Sequence, residues 1–399
     1  MAITILATPK AFAPVYNKME YLISSTNVAE PNFAYLVDIY INGSGTKTAR
    51  LRIPVRPTDN YGKVDIHRVL ESALTSDVGN PDPTADAGTY EAPNSALTYV
   101  VKFGEEYGTT IVQYPDVTID SSRDAINASL EKANFINWDV TEYDLDGVTK
   151  KFLTNAPDNH TVSINSHGWT YYKAPIALTG FTVVTKDSLG AVIASFRIDT
   201  TATTGTIQYF PTSPASLNNI ANANLAVGVQ PIITDAVASY EIAAKGGVSE
   251  TKTFVIKENC KYNVNTLIFQ NNLGAFDNFT FYLGDSSTTK IERKDMKVNV
   301  ETVVNNDIVY SMNEREKVTY YTKNTPSLKL MSDWITEAES NWLLELMSSP
   351  EIYLQNGNEL IAVAKIKASS YVKKQVVADK LFKIEVELEM GYDDYRQRG

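Results

Sequence analysis

"NFAYLVDIYING", Asn32 to Gly43, decides how this chain is to be read. Phe33, Tyr35, Val37, Ile39 and Ile41 fall at every second position, which puts them on one face of a strand. A helix would spread the same residues around its circumference. "SGT" follows as a turn, and "ARLRIPVRP" returns as the hairpin partner, with Pro54 and Pro57 marking an edge or a strand end.

The same pattern recurs along the chain. "ALTYVVKFGEEYGTTIVQYPDVTID" (Ala96 to Asp120) reads as a second hairpin. "LTGFTVVTKDSLGAVIASFRID" and "VASYEIAAKGGVSETKTFVIKE" each read as strand, turn, strand, with Gly190 and Gly246-Gly247 at the turns. Near the end, Phe382, Ile384, Val386, Leu388 and Met390 alternate with charged or small residues, as in a half-buried strand.

Helical signals are few. Ile66, Val69, Leu70, Ala73 and Leu74 share one side of a helix expected over 64–76, with His67 on its polar side. A short helix is expected within Ser122 to Lys132. "SDWITEAESNWLLELMSSPEIYL" (Ser332 to Leu354) holds a third, over 336–348: Thr336 and Glu339 form a T-x-x-E capping box, and Ser348-Ser349-Pro350 stops it. Its tryptophans, Trp334 and Trp342, read as packing that seats the helix on a C-terminal sheet. Its carboxylates, Glu337, Glu339 and Glu345, read as capping and a solvated face. Residues 79–94 and 211–231 read as polar connections, and Gly274 in "NNLGAFDN" offers a backbone conformation other residues avoid.

The expected fold class is therefore mainly β: multidomain antiparallel sandwich or barrel modules with a few short helices. The rhythm divides the chain into an N-terminal β-rich domain (1–165), an immunoglobulin-like sandwich (166–258) and a C-terminal β domain with the helix 336–348 (259–399).

Composition narrows the function. The chain has 23 Tyr against 3 His and 1 Cys, and its net charge is −11. Aromatic and β-branched residues suit sheets, and Tyr also suits interfaces. The acidic balance argues against nucleic acid or an anionic membrane as partner, and "KIERKDMK" (Lys290 to Lys297), with acids interleaved, reads as a solvated strand end. The lone Cys260 excludes an internal disulfide framework. No signal peptide and no membrane-spanning apolar run are read, so a soluble protein is expected.

No site for chemistry emerges. His160 and His167 with Asp158 match no zinc spacing and read as loop hydrogen-bonders. Cys260 reads as a small hydrophobe, and "DLDG" (Asp144 to Gly147) as a hairpin turn lacking the further ligands of a calcium loop. The motifs of P-loop, dinucleotide, zincin and serine-hydrolase sites are missing. No catalytic, cofactor or metal residue is assigned, and no enzyme is expected. Carboxylates in a sheet cleft, as in a glycan hydrolase, leave no local signature. In "WTYYK", Trp169, Tyr171 and Tyr172 are the candidates for contact with a partner or a glycan.

Three blocks together resemble virion structural proteins of tailed bacteriophages of Bacteroidota, crAss-like and related. They are "FAPVYNKMEYLISS" with "NFAYLVDIYI" and "RLRIPVRPTDNYGKVDIHRVLESAL"; "YNVNTLIFQNNLGAFDNFTFYL" with "IERKDMK"; and "LMSDWITEAESNWLLELMSSPEIYL" to the final strand. Residues 166–258 lie outside the resemblance. It implies a component of the tail, baseplate or host-adsorption apparatus, located in the virion. Its partners would be other virion proteins and further copies of itself in a ring or trimer. Two alternatives remain: a carbohydrate-binding adhesin that meets a host-surface glycan, and a capsid decoration or head-fibre protein.

Overall fold

A computed structural model of the chain describes residues 3–81, 88–174, 178–200, 207–257, 263–298, 302–309, 312, 315–367 and 382–395. The architecture is mainly β, built from several largely antiparallel sheets with short helices between them. It divides into two compact units, 1–257 with 269–278, and 258–268 with 279–399.

The first unit holds two layered cores. In the first core, Ile3–Ala7, Glu20–Ser25 and Gly62–Asp65 form an antiparallel three-stranded sheet. A six-stranded sheet is ordered Ala13–Pro14, Arg123–Ile126, Ala96–Tyr107, Ala34–Ile41, Ala49–Pro54, with Val112–Ile119 also paired to Ala96–Tyr107. Ala34–Ile41 pairs with Ala49–Pro54 in the register Tyr35 to Ile53 and Val37 to Leu51. Its alternation has the expected consequence. Tyr35, Val37, Ile39 and Ile41 enter one hydrophobic cluster with Tyr21, Tyr99 and Phe103, and Phe33 packs against its margin.

The other face of Ala34–Ile41 is also closed, by charge. Asp38 is buried and accepts two hydrogen bonds from Arg50 at 2.6 and 2.5 Å, while Glu106 pairs with Arg52. The bidentate guanidinium offsets the desolvation of the carboxylate.

Two helix expectations change here. Residues 62–65 are a strand, and the helix is confined to His67–Glu71. Asp65 accepts from the backbone N–H of both Met19 and His67, tying the segment to the sheet, and Thr75 N–H donates to Asn94 O beyond it. Ile66, Leu70 and Leu74 are buried, but only Leu70 of these lies in the helix, and Ala73 of the expected apolar side is exposed. His67 is not simply solvent-facing: its Nδ1 lies 2.9 Å from Asp65. Within Ser122 to Lys132, Arg123–Ile126 is a strand paired with Ala96–Tyr107, and a helix begins only at Lys132. Non-local pairing with Leu97 and Tyr99 overrides a locally helix-compatible run.

The second core lies between a six-stranded sheet and a three-stranded one. The six-stranded order is His160–Val162, Lys252–Ile256, Ser239–Ala244, Gly180–Lys186, Val192–Asp199, Leu225–Val227. The three-stranded sheet is Trp169–Lys173, Ile207–Pro211 and Tyr90–Glu91, so a strand from the first 100 residues completes it. Phe181 and Phe210 stack at 3.7 Å at the centre, with Tyr172 and Phe152 around them. Residues 211–231 are more than a polar connection. They form the helix Pro214–Asn218, and Leu217 and Ile220 are buried in this core.

The loop in "NNLGAFDN" also belongs to this unit. Asn271 donates to Leu153 O and accepts from the N–H of Leu273 and Ala275. Gly274 has φ +79°, and a Cβ there would stand 2.2 Å from Asn127 O. Glycine is required twice over, by conformation and by the close approach.

A further sheet, most of it in the second unit, is ordered Phe276–Phe281, Asn265–Gln270, Ile352–Asn356, Glu359–Ile366, Glu385–Met390, Lys317–Met331, Leu283–Lys297, with Asp394–Tyr395 also paired to Lys317–Met331. Ile384, Val386 and Leu388 face inward with Leu330. The helix Glu337–Ser348 starts as the capping box requires: Glu339 N–H donates to Thr336 Oγ1 at 3.2 Å, and Thr336 N–H to Glu339 Oε2 at 2.8 Å. Trp342, Leu343 and Leu346 are buried, and Trp342 meets Phe279 edge-on at 6.0 Å. Trp334 and Glu345 differ from expectation. Trp334 is 57% exposed, with the Lys383 ammonium over its ring, whereas Glu345 is only 8% exposed and is not on a solvated face.

Candidate assembly surface

Leu283–Lys297 and Lys317–Met331 are the longest strands among the described residues, 15 residues each, and they pair with one another along their length. At a rise of about 3.4 Å per residue each spans roughly 50 Å. The composition explains the conformation: Thr288, Thr289 and Ile291 on one strand, and Val318, Thr319, Tyr320, Tyr321 and Thr322 on the other, suit an extended backbone.

Cross-strand contacts hold the register. Thr288 and Ser327 hydroxyls lie 2.8 Å apart, Lys294 sits over the Tyr321 ring at 5.0 Å, and Thr319 Oγ1 donates to Asp295 at 2.6 Å. That hydroxyl and the Lys317 ammonium hold the Asp295 carboxyl below the usual carboxylate range. Lys323 does the same for Asp393, which in turn raises Lys323.

Glu385–Met390 pairs with the ribbon only over Ser327–Met331, and Asp394–Tyr395 only at Lys323 and Asn324. Beyond that, among the described residues, the ribbon is two strands with solvent on both faces. Among the described residues Leu283–Lys297 is a sheet edge along its length. Lys290, Glu292, Arg293 and Lys294 put charge along it, the usual protection of an open edge. The two strands together carry seven Lys or Arg against three Asp or Glu, a basic stem in a chain of net charge −11.

Between them lies a small hairpin, Thr302–Val304 with Asp307–Val309. Its two turn residues, Asn305 and Asn306, both have positive φ, +52° and +67°, the geometry of a type I′ turn. This tip is apolar and unburied: Val303 is 66% exposed and its cross-strand partner Ile308 is 51% exposed. Val304, Val309 and Met312 are exposed as well. Among the described residues, these four aliphatic side chains of the hairpin have no core of their own. A ribbon of this kind gains stability when another surface covers it.

The residues singled out in "WTYYK" lie elsewhere. Trp169 is 4% exposed, and Tyr171 and Tyr172 are fully buried. The indole lies against Gly79, Tyr171 donates to Asp77 O at 2.6 Å, and Tyr172 donates to Gln208 Oε1 at 2.6 Å. Contact with an external partner or glycan through these three side chains is thus corrected: the strand is covered on both faces, so its aromatic residues are core.

His160 and His167 are each engaged separately. His160 is buried with Nδ1 3.2 Å from Pro157 O and its ring edge-on to Phe254, and burial pushes its pKa down to about 4. His167 Nδ1 lies 3.0 Å from Ser216 Oγ, with its ring stacked on Trp169. Among the described residues no three His, Cys, Asp or Glu gather as a metal site would need. Asp144 of "DLDG" pairs with Lys173. Cys260 lies outside the described residues. No helix among the described residues is long and apolar enough to cross a membrane.

No protein-family model matches the chain, and no curated protein does. A solved structure, "Crystal structure of Dpr2 Ig1-Ig2 in complex with DIP-Theta Ig1-Ig3", aligns with 83% of this chain and 95% of its own at 8% identity. Its TM-score of 0.17 is too low to carry an argument about fold or function.

Proposed function

We propose that the protein is a structural component of a tailed-phage virion, in the tail, baseplate or host-adsorption apparatus, and that it works by assembly rather than turnover. The observation that carries this reading is the ribbon with its exposed aliphatic tip. Full burial of a Val or Ile side chain gains roughly 1.5–3 kcal/mol, so the four tip residues form a compact docking element. The basic stem suits the acidic remainder of a second copy, and a heterologous contact of that kind closes into a ring or trimer. The resemblance of the three sequence blocks to phage virion proteins supports the same assignment.

Sedimentation of the purified full chain tests it. The wild type is expected to form a closed oligomer, and Val303→Asp/Ile308→Asp to leave a folded monomer with an unchanged circular-dichroism spectrum. A variant that keeps the wild-type oligomer would remove the ribbon tip as the interface.

A further inference from the structure

A second surface feature, in the first unit, is of a different kind. The helix Lys132–Ile136 and the 3-10 turn Val140–Tyr143 enclose, with Leu130, Asn155 and Leu273, a cavity of about 270 Å³. Trp138 and Tyr143 stack in it, ring centroids 5.2 Å apart and planes at 28°. Around them stand the exposed side chains of Asn134, Asn137, Glu142, Lys151 and Asn155, while buried Leu273 contributes to the wall.

The aromatic pair is held from outside the cavity. Trp138 Nε1–H donates to Ala11 O at 3.3 Å, and the Lys10 ammonium donates to Ile136 O at 2.5 Å and to Trp138 O at 3.4 Å. Asp139 caps the turn by accepting from Thr141 N–H at 2.9 Å, and Lys151 pairs with Glu142 at 2.9 Å across the wall. The platform therefore exists before any ligand arrives, which lowers the ordering cost of binding.

We infer that this cavity is a binding site for one ring of a neutral glycan. The volume lies at the small end for ligand sites, too small for a large apolar ligand. A sugar ring offers an apolar C–H face to a Trp–Tyr platform and hydroxyls that both donate and accept. Amides, a carboxylate and an ammonium around the rim match those hydroxyls. Asp139 and Glu142 outnumber Lys151, so the lining disfavours an anionic ligand. Nothing in this placement depends on the ribbon, and the two readings stand or fall apart.

The test is an array of neutral oligosaccharides probed with the full chain, followed by calorimetric titration of the best-retained one. The proposal expects binding that Trp138→Ala weakens ~10-fold or more, in line with the worth of an aromatic stacking contact. The exposed double variant Asn137→Ala/Lys151→Ala is expected to weaken it as well, and Trp334→Ala to leave it unchanged. If Trp138→Ala fails to fold, the double variant decides. Retention of no neutral glycan, binding of acidic glycans alone, or wild-type affinity in the folded variants would overturn the proposal.

Discussion

His160 is a residue whose surroundings convert directly into a pH dependence. It is buried against Phe254, and its pKa in the folded protein is about 4, well below the ordinary histidine value. A depressed folded pKa means that the unfolded chain binds the proton first. Stability is complete above about pH 6.5 and falls as pH drops towards 4, by about 3 kcal/mol in all. Denaturant titrations at pH 7 and pH 4.5 are expected to differ accordingly, and His160→Gln is expected to remove most of the difference. Asp38, held low chiefly by Arg50, and Asp120, held low by Arg123 and Tyr21 against the cost of its burial, act in a separate window: their contributions are lost only below about pH 4. Gly274 supports a second expectation. Gly274→Ala places a Cβ against Asn127 O on a backbone with positive φ, so a loss of more than ~1 kcal/mol is expected in chemical denaturation.

At the scale of elements, the helix Glu337–Ser348 was legible because all of its signals are local. The capping box lies within four residues, and the apolar positions recur at helical spacing. Thr336→Ala is expected to cost ~1 kcal/mol, measured as a lower denaturant midpoint with an unchanged slope. Strands with one apolar face were legible for the same reason, as Tyr35 to Ile41 and Ile384 to Met390 show. What stayed hidden depends on partners distant in sequence. Arg123–Ile126 looks helical until Ala96–Tyr107 pairs with it. Trp169 to Lys173 alternates like a half-exposed strand, yet both of its faces are covered, one by Asp77 and Gly79 against Tyr171 and Trp169, the other by Phe181 against Tyr172. The ribbon had one usable cue. "VVNND" places two turn-forming Asn between β-branched residues, a hairpin signal that the reading of "KIERKDMK" as a simple strand end passed over.

On the scale of the whole molecule, the distribution of charge and of exposed apolar surface points the same way. A chain of net charge −11 keeps a basic stem, and that stem carries aliphatic residues that nothing among the described residues of the chain covers. If stem and acidic surface meet between copies, the oligomer is expected to loosen as salt rises from about 0.05 to 0.5 M, because exposed charge pairs are screened over about 10 Å at 0.1 M. Light scattering across that range reads the effect, and salt-independence would assign the contact to the apolar tip alone. In the proposed function, the resemblance of the sequence blocks is what implies a place in the virion, and the ribbon is the proposed means of assembly. Quantitative mass spectrometry of purified phage particles tests that claim most directly. The account predicts that the protein co-purifies with the particle at a copy number that is a multiple of three or six. Its absence from purified particles that contain their other structural proteins would contradict the account.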